Sequence, residues 1–334
     1  MEGSPIVNVS RPEVQFAVDT VRAAAHLARQ VQAELVEPAL TKDDRSPVTV
    51  ADFAVQALVG RLLDAAFPHD ALVGEEDSKA LRAPEAAGTL AEVSGFVGRA
   101  VAGATAERVC AWIDRGNAEP TDRFWTLDPI DGTKGFLRGD QYAVALALVI
   151  DGRVDVGVLG CPNLADGYRP DVGGPGSLIV AVRGEGTWAG SAADGAELRR
   201  IRVSGVSDPA QVRLLRSFEA GHTNTGRMGE LVRKMGVEAE PVRMDSQAKY
   251  GVLASGHGDL LVRLLSSKQP DYREKIWDQA AGSIVVEEAG GRITDLSGAP
   301  LDFSAGRTLA RNRGVLASNG LLHDIALEAL SSVL

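Results

Sequence analysis

Cysteine is nearly absent: Cys110 and Cys161 are the only thiols in 334 residues. Two thiols are too few for a disulfide scaffold, so a reducing interior is the expected setting and a Cys110–Cys161 bridge is disfavoured. Long apolar runs are also missing. The longest, Ala143–Ile150, is far too short to span a bilayer. No basic segment followed by an apolar run occupies Met1 to Asn8, so no secretory signal is expected and the predicted location is cytoplasmic. Excess positive charge is lacking too: 35 basic against 45 acidic side chains leave a net charge of −10. That balance argues against nucleic acid or a membrane surface as a partner held by bulk electrostatics. A phosphorylated small molecule stays compatible, because local cations and bound metal reverse the local field. There is no internal repeat and no low-complexity tract.

The chain is long enough for a large core, and its 45% hydrophobic content is that of a globular protein. Val14, Val18, Val21, Ala25, Ala28 and Leu35 recur at helical spacing after Pro12, which predicts a long amphipathic helix. A second helix is expected from about Val50 to Phe67, ended by Pro68, with Val55, Leu58, Val59, Leu62 and Leu63 on its buried face. Ala71–Val73 reads as a short strand running into Gly74-Glu75-Glu76-Asp77. Residues 80–120 are Ala- and Gly-rich and read as helix, and 115–123 as a surface loop. Phe124–Ile130 is the next expected strand. Tyr142–Ile150 and Val154–Leu159 flank Asp151-Gly152, a strong hairpin signal. The proline- and glycine-rich stretch 162–176 marks the expected boundary between a domain of residues 1–165 and one of 166–334. Beyond it, strands and helices alternate, so an α+β half is expected to precede an α/β half.

Chemistry concentrates in separated acidic segments. In Asp128-Pro129-Ile130-Asp131-Gly132-Thr133, two aspartates stand three apart at the end of an apolar strand. Hard divalent cations take oxygen ligands of this kind. Pro129 interrupts the ladder, and Gly132 permits a tight turn that frees backbone N–H groups for an anion. Alone, such a pair reads more simply as a strand-end turn with local hydrogen bonds. Glu75-Glu76-Asp77 is, alone, a solvated acidic loop. Asp278 reads as the N-cap of a helix that Gly290-Gly291 closes. Thr49 and Asp52 have capping-box spacing, and the alternative for Asp52 is a base that orients water. Carboxylates gathered from several segments repel one another, and two magnesium ions roughly 4 Å apart would satisfy them.

Together, Asp52, Glu75-Glu76, the segment 128–133, and Trp277-Asp278 with Gly290-Gly291 resemble the lithium-sensitive, magnesium-dependent phosphomonoesterase family. The order matches, residues 279–289 separate the last two pieces as in the family pattern, and the match spans nearly the whole chain. The longer strings 125–142, 160–163, 245–250 and 272–278 are similar to its 3′(2′),5′-bisphosphate nucleotidase branch rather than to inositol monophosphatases. The resemblance implies a layered αβαβα sandwich (α+β and α/β) and hydrolysis of adenosine 3′,5′-bisphosphate to AMP. In many members it also implies action on 3′-phosphoadenosine 5′-phosphosulfate. It implies two or three Mg2+ ions held by Glu75, Asp128, Asp131, Asp278 and the Ile130 carbonyl. Asp52 and Thr133 correspond to the water-activating pair. Gly132, Thr133, His222, Ser246, Lys249, Arg263 and Asp278 correspond to substrate-binding positions. The implied partner is a small nucleotide, and no protein partner is indicated.

The chain departs from the pattern at Gln279, where many relatives carry His, and matches it loosely over 217–223 and just before Tyr272. Without the resemblance, Lys249, set among Ala248, Tyr250 and Val252 at an expected helix start, still suggests a phosphate partner, because an uncompensated buried lysine is costly, whereas Arg263 reads as an exposed strand face, His222 as a loop residue and Cys161 as structural. The rival readings are an inositol or sugar phosphatase on the same scaffold, and a nucleotide sensor without catalysis.

Overall fold

The computed structural model describes residues 11–36, 46–218, 225–265 and 268–333. Its first layer is helical. Pro12, pre-set for a first helical turn, opens α1 (Pro12–Val31), which buries Val14, Val18, Val21, Ala25 and Ala28. The second helix, α2, runs over Ser46–Ala66 and stops two residues before Pro68. Both lie on one face of a seven-stranded sheet.

That sheet has the order β1-β2-β3-β4-β7-β8-β9. Its strands are β1 (Ala71–Gly74), β2 (Arg123–Asp131), β3 (Ala143–Ile150), β4 (Arg153–Cys161), β7 (Ser177–Val182), β8 (Gly186–Ser191) and β9 (Arg199–Ile201). A small hairpin of β5 (Leu164–Ala165) and β6 (Arg169–Pro170) stands apart. Between β1 and β2 come α3 (Ala87–Ala100) and α4 (Ala106–Asp114), which divide the stretch expected to be helical. The Asp151-Gly152 hairpin forms as expected. Both residues have positive φ, 50° and 72°, the conformation that matches strand twist.

The core follows from alternation along β3. Val144, Leu146 and Leu148 join the cluster under α1 and α2. Ala143, Ala145, Ala147 and Val149 face the opposite cluster. Small side chains on that second face admit a middle helical layer, α7 (Ala248–Ala254) and α8 (Ala280–Glu288). Gly157 on β4 is one point of close approach: a Cβ there would lie 2.4 Å from Ile284 Cγ2. Beyond this layer is a five-stranded sheet of order β11-β10-β12-β14-β13. It comprises β10 (Leu214–Arg216), β11 (Val242–Arg243), β12 (Leu260–Arg263), β13 (Arg292–Thr294) and β14 (Val315–Ser318). Its outer face is covered by α6 (Thr225–Met235) and α9 (His323–Ser331), through Met228, Leu231, Ala326 and Leu330. The layers therefore read αβαβα.

The change of sheet falls between Ile201 and Leu214. It does not coincide with the division expected at 165/166, because β7, β8 and β9 extend the first sheet beyond β4. Cys110 and Cys161 are both buried and unbridged. Among the described residues no helix is long and apolar enough to cross a membrane.

Candidate active site

Strands β1 and β2 run parallel with Gly74 opposite Leu127, so the next residues, Glu75 and Asp128, come side by side where β1 ends. In a regular strand Asp128 and Asp131, three apart, would face opposite ways. They do not, because the ladder slips: Asp128 pairs Ala145 and Asp131 pairs Ala143. Three steps on β2 match two on β3, and the extra residue resets the alternation. Pro129, which has no N–H to give the ladder, and Ile130, 2% exposed in the core, lie inside this bulge.

The five acidic side chains implicated by the sequence share one electrostatic field. Asp128 is 2% exposed, and its buried Oδ1 has no hydrogen-bond partner. Burial first, then Glu75, Asp131, Asp278 and Asp52, hold its carboxyl well above the usual carboxylate range. Glu75 is exposed at the end of β1, yet desolvation by the protein around it, with Glu76 and Asp131, pushes its pKa up to about 7. Burial likewise raises Asp278 to about 8, with Arg263 working against the shift. Asp131 is raised by burial and restrained by Lys249 and Arg263. Asp52 is raised by burial, then by Glu76 and Glu75.

Mutually repelling carboxylates with an unpartnered buried oxygen fit a hard cation. Among the described residues no three of these side chains converge tightly enough to cage an ion alone. Magnesium keeps several waters and is held by a few carboxylates together with substrate oxygens.

Gly132 follows the bulge with φ 93° and starts the short helix α5 (Thr133–Arg138). A Cβ at Gly132 would lie 2.8 Å from Ser246 Cβ, so glycine is required twice, by conformation and by space. Thr133 is exposed on this turn, and α5 packs against α2, the helix of Asp52. Ser246 is itself left-handed, φ 66°, an uncommon conformation for a side-chain-bearing residue. Its Oγ accepts from Ala248 N at 3.1 Å. Lys249, 6% exposed, donates to Ser217 Oγ at 3.2 Å. Burial lowers its pKa to about 8, while Asp131 opposes the shift. Arg263, at the end of β12, pairs with Glu274 at 2.7 Å. His222 lies outside the described residues.

Two local expectations are corrected. Asp52 is not a capping-box residue: α2 is already helical at Ser46, so Thr49 and Asp52 lie inside it. Asp278 does not cap α8 either. It lies in a turn, and Gln279 occupies the N-cap position without a side-chain capping bond to the helix. The glycine stop holds: Gly290 N donates to Glu287 O and Gly291 N to Val286 O, a Schellman ending.

Several supporting residues were not singled out from sequence. Gln247 N donates to Asp131 Oδ2 at 2.6 Å, and its side chain bonds Trp277 O and Gly282 N. Gln56, one turn beyond Asp52, clamps the Glu76 backbone through both amide atoms. That i, i+4 spacing was the available signal. Arg307 donates to Gly74 O at 2.5 Å and lies over the Trp277 ring; its neighbours in sequence carry no such hint.

Comparison with known proteins agrees with this architecture. The Inositol monophosphatase family model matches residues 8–333. A Schizosaccharomyces pombe protein named 3′(2′),5′-bisphosphate nucleotidase is 41% identical, covering 96% of this chain and 95% of its own. An Oryza sativa protein of the same name is also 41% identical, over 96% and 94%. Among solved structures, the Thermotoga maritima IMPase superposes with a TM-score of 0.62 at 20% identity, covering 96% of this chain and 97% of its own. Mycobacterium tuberculosis SuhB gives 0.62 at 22% identity, over 96% of both. These two similarities speak for the fold alone. With its bulged Asp128–Asp131 strand and the flanking acidic segments in matching order, the chain belongs to the inositol monophosphatase family.

Proposed function

We propose that this protein is a magnesium-dependent 3′(2′),5′-bisphosphate nucleotidase that hydrolyses the 3′-phosphate of adenosine 3′,5′-bisphosphate to AMP and phosphate. The observation that carries the reading is end-to-end similarity, 41% identity, to relatives of that name. The acidic cluster supports it, because its geometry calls for a cation rather than for internal salt bridges.

Glu75, Asp128, Asp131, Asp278 and the Ile130 carbonyl would hold the magnesium, as two or three ions. When bound, the metal supplies positive charge against the transferring phosphoryl group and acidifies a water. The remaining work falls to the chain. Backbone N–H groups of Gly132 and Thr133 point an anion-binding turn at the phosphate. Thr133 Oγ1 orients the attacking water and relays its proton, which the Asp52 carboxylate, a strong base for an aspartate, takes up. The P–O3′ bond breaks as the water oxygen bonds to phosphorus, and the 3′-oxygen leaves as a hydroxyl with a proton drawn from solvent water, Asp52 later returning its own to solvent. Ser246, Lys249, Arg263 and His222 hold the nucleotide, so that its binding energy aligns the reacting phosphate. The same pocket chemistry admits the phosphosulfate analogue.

A phosphate-release panel tests this, using adenosine 3′,5′-bisphosphate, its phosphosulfate analogue, inositol phosphate and fructose bisphosphate. The adenosine bisphosphate is expected to give the highest kcat/KM, to need added magnesium and to go silent in chelator. A preference for inositol phosphate would move the protein to the sugar-phosphatase branch. Silence on the whole panel with magnesium present would leave a sensor.

A further inference from the structure

Behind Arg263 lies a buried relay of three side chains, Tyr250, Gln279 and Glu274, that the reaction as described does not use. Tyr250 Oη donates to Gln279 Oε1 at 2.5 Å. Gln279 Nε2 donates to Glu274 Oε2 at 3.0 Å. The same Glu274 oxygen accepts from Arg263 at 2.7 Å. Tyr250, Gln279 and Glu274 are 2%, 0% and 5% exposed, so each bond is shielded from competing water.

Arg263 stands in the combined field of Asp131 and Asp278 as well as Glu274. Left free, its guanidinium would be drawn onto those aspartates and into the space meant for cations. Glu274 holds it back, and Glu274 is in turn fixed by the Gln279 amide. The amide can stand only one way round: turned over, Oε1 would face the Glu274 carboxylate, and the Tyr250 hydroxyl would lose its acceptor. Gln279 also directly follows Asp278 in the chain, so its amide ties Glu274 to the segment that carries this aspartate.

We propose that Gln279 is a positioning residue, which acts through Glu274 to keep Arg263 on the substrate side of the cleft and off the cation-binding carboxylates. This rests on the substrate role assigned above to Arg263.

The test is a kinetic cycle on adenosine 3′,5′-bisphosphate in saturating magnesium, with Tm recorded for each protein. Gln279→Met keeps length and volume but makes neither bond, and it should raise KM about tenfold, the factor one charge-assisted hydrogen bond allows, with kcat nearly kept. Tyr250→Phe removes only the outer hydroxyl and should move KM the same way by less. Arg263→Ala should raise KM on its own. Gln279→Met combined with Arg263→Ala should then add nothing further, because the residue through which Gln279 acts is gone. A double variant whose KM defects multiply would overturn the positioning role while leaving that of Arg263 intact. An Arg263→Ala enzyme with unchanged KM would overturn both, and the wild-type phosphate panel separately decides the nucleotidase reading. Loss of kcat in Gln279→Met and Tyr250→Phe at unchanged KM would assign the relay to the reaction centre and overturn the proposal.

Discussion

Asp128 and Asp259 are both buried aspartates, 2% and 0% exposed, and they are built in opposite ways. Asp259 is saturated: Arg213 reaches it through Nε, NH2 and its backbone N–H, and Ser204 Oγ donates as well. Burial alone would raise its pKa, but Arg213 and Ser204 outweigh that and hold it below the ordinary value. Asp128 has an oxygen with no partner and neighbours of its own charge. One carboxylate is completed by the chain. The other is left incomplete at a cost in stability, which is how a site for an external cation is recognised.

Exchanging each for asparagine breaks the comparison most sharply. Asp128→Asn should lower kcat a thousandfold or more, roughly the loss of a group acting directly on the transition-state charge, with the metal-free Tm kept or raised because a repelled, unpartnered charge is removed. Asp259→Asn should do the reverse, losing about 3 kcal/mol of stability as Arg213 is stranded while kcat survives below the lowered Tm. Urea titrations and initial rates on both variants decide it. Equal destabilisation by the two would erase the distinction.

The metal-free protein should show the same contrast against pH. Glu75 and Asp278 are raised to about 7 and about 8, from ordinary values of 4.5 and 3.8. A carboxyl whose folded pKa lies above its unfolded one binds extra protons when folded. Its stabilisation is therefore present at low pH and lost as pH rises. Metal-free stability should fall between about pH 4.5 and 8, and magnesium should flatten that slope. Asp259, shifted down, contributes with the opposite sign, losing its stabilisation only in acid. A metal-free stability that climbs toward pH 8 would contradict the assignment.

Smaller effects separate chemistry from binding. Because Asp52 lies inside α2 rather than at its end, Asp52→Asn removes no cap. It should lower kcat about a hundredfold, the usual worth of a positioned base, with Tm nearly unchanged. An early-melting variant with normal turnover would make Asp52 structural. Lys249→Ala should instead raise KM for the bisphosphate ten- to a hundredfold, roughly the loss of one charge-assisted bond to a non-reacting phosphate. A monophosphate substrate, with no second phosphate to hold, should change far less. Equal losses on both would place Lys249 at the reacting phosphate.

Much of this was legible from sequence because it depends on local order. The Asp151-Gly152 turn, the glycine stop at Gly290-Gly291 and the apolar run of β3 are each set by residues close together in the chain. The acidic segments could be gathered in advance because their spacing resembles a family's. What depends on sheet order was not legible. The continuation of the first sheet through β8 and β9 is decided by edge pairing, not by the proline and glycine content of 162–176. The bonds of Gln247 to Asp131 and of Arg307 to Gly74 join segments far apart in sequence. Ordinary polar residues carry them, and only the folded backbone brings the partners together.

The smallest predicted effect lies at the rim. Asp114 accepts from Ser78 N and Oγ at 2.9 and 2.8 Å, and from Arg82 at 2.8 Å. Burial would raise this carboxyl, yet Arg82 and Ser78 outweigh it and hold the pKa down. It is completed by the chain, as Asp259 is, but Arg82 is half exposed, 50%. Water and salt therefore replace much of what the guanidinium gives, and exposed pairs of this kind contribute little. Removing Arg82 also leaves both Ser78 bonds in place, and these tie the loop after Glu75-Glu76 to the end of α4. Arg82→Ala should thus keep Tm within about 2 °C and kcat/KM within about twofold, a tenfold effect being worth about 1.4 kcal/mol. Melting curves and rates at low and high salt measure both. A marked drop in kcat at unchanged Tm would mean that this pair aims Glu75 at the site, and Asp114 would then belong with Asp128 rather than with Asp259.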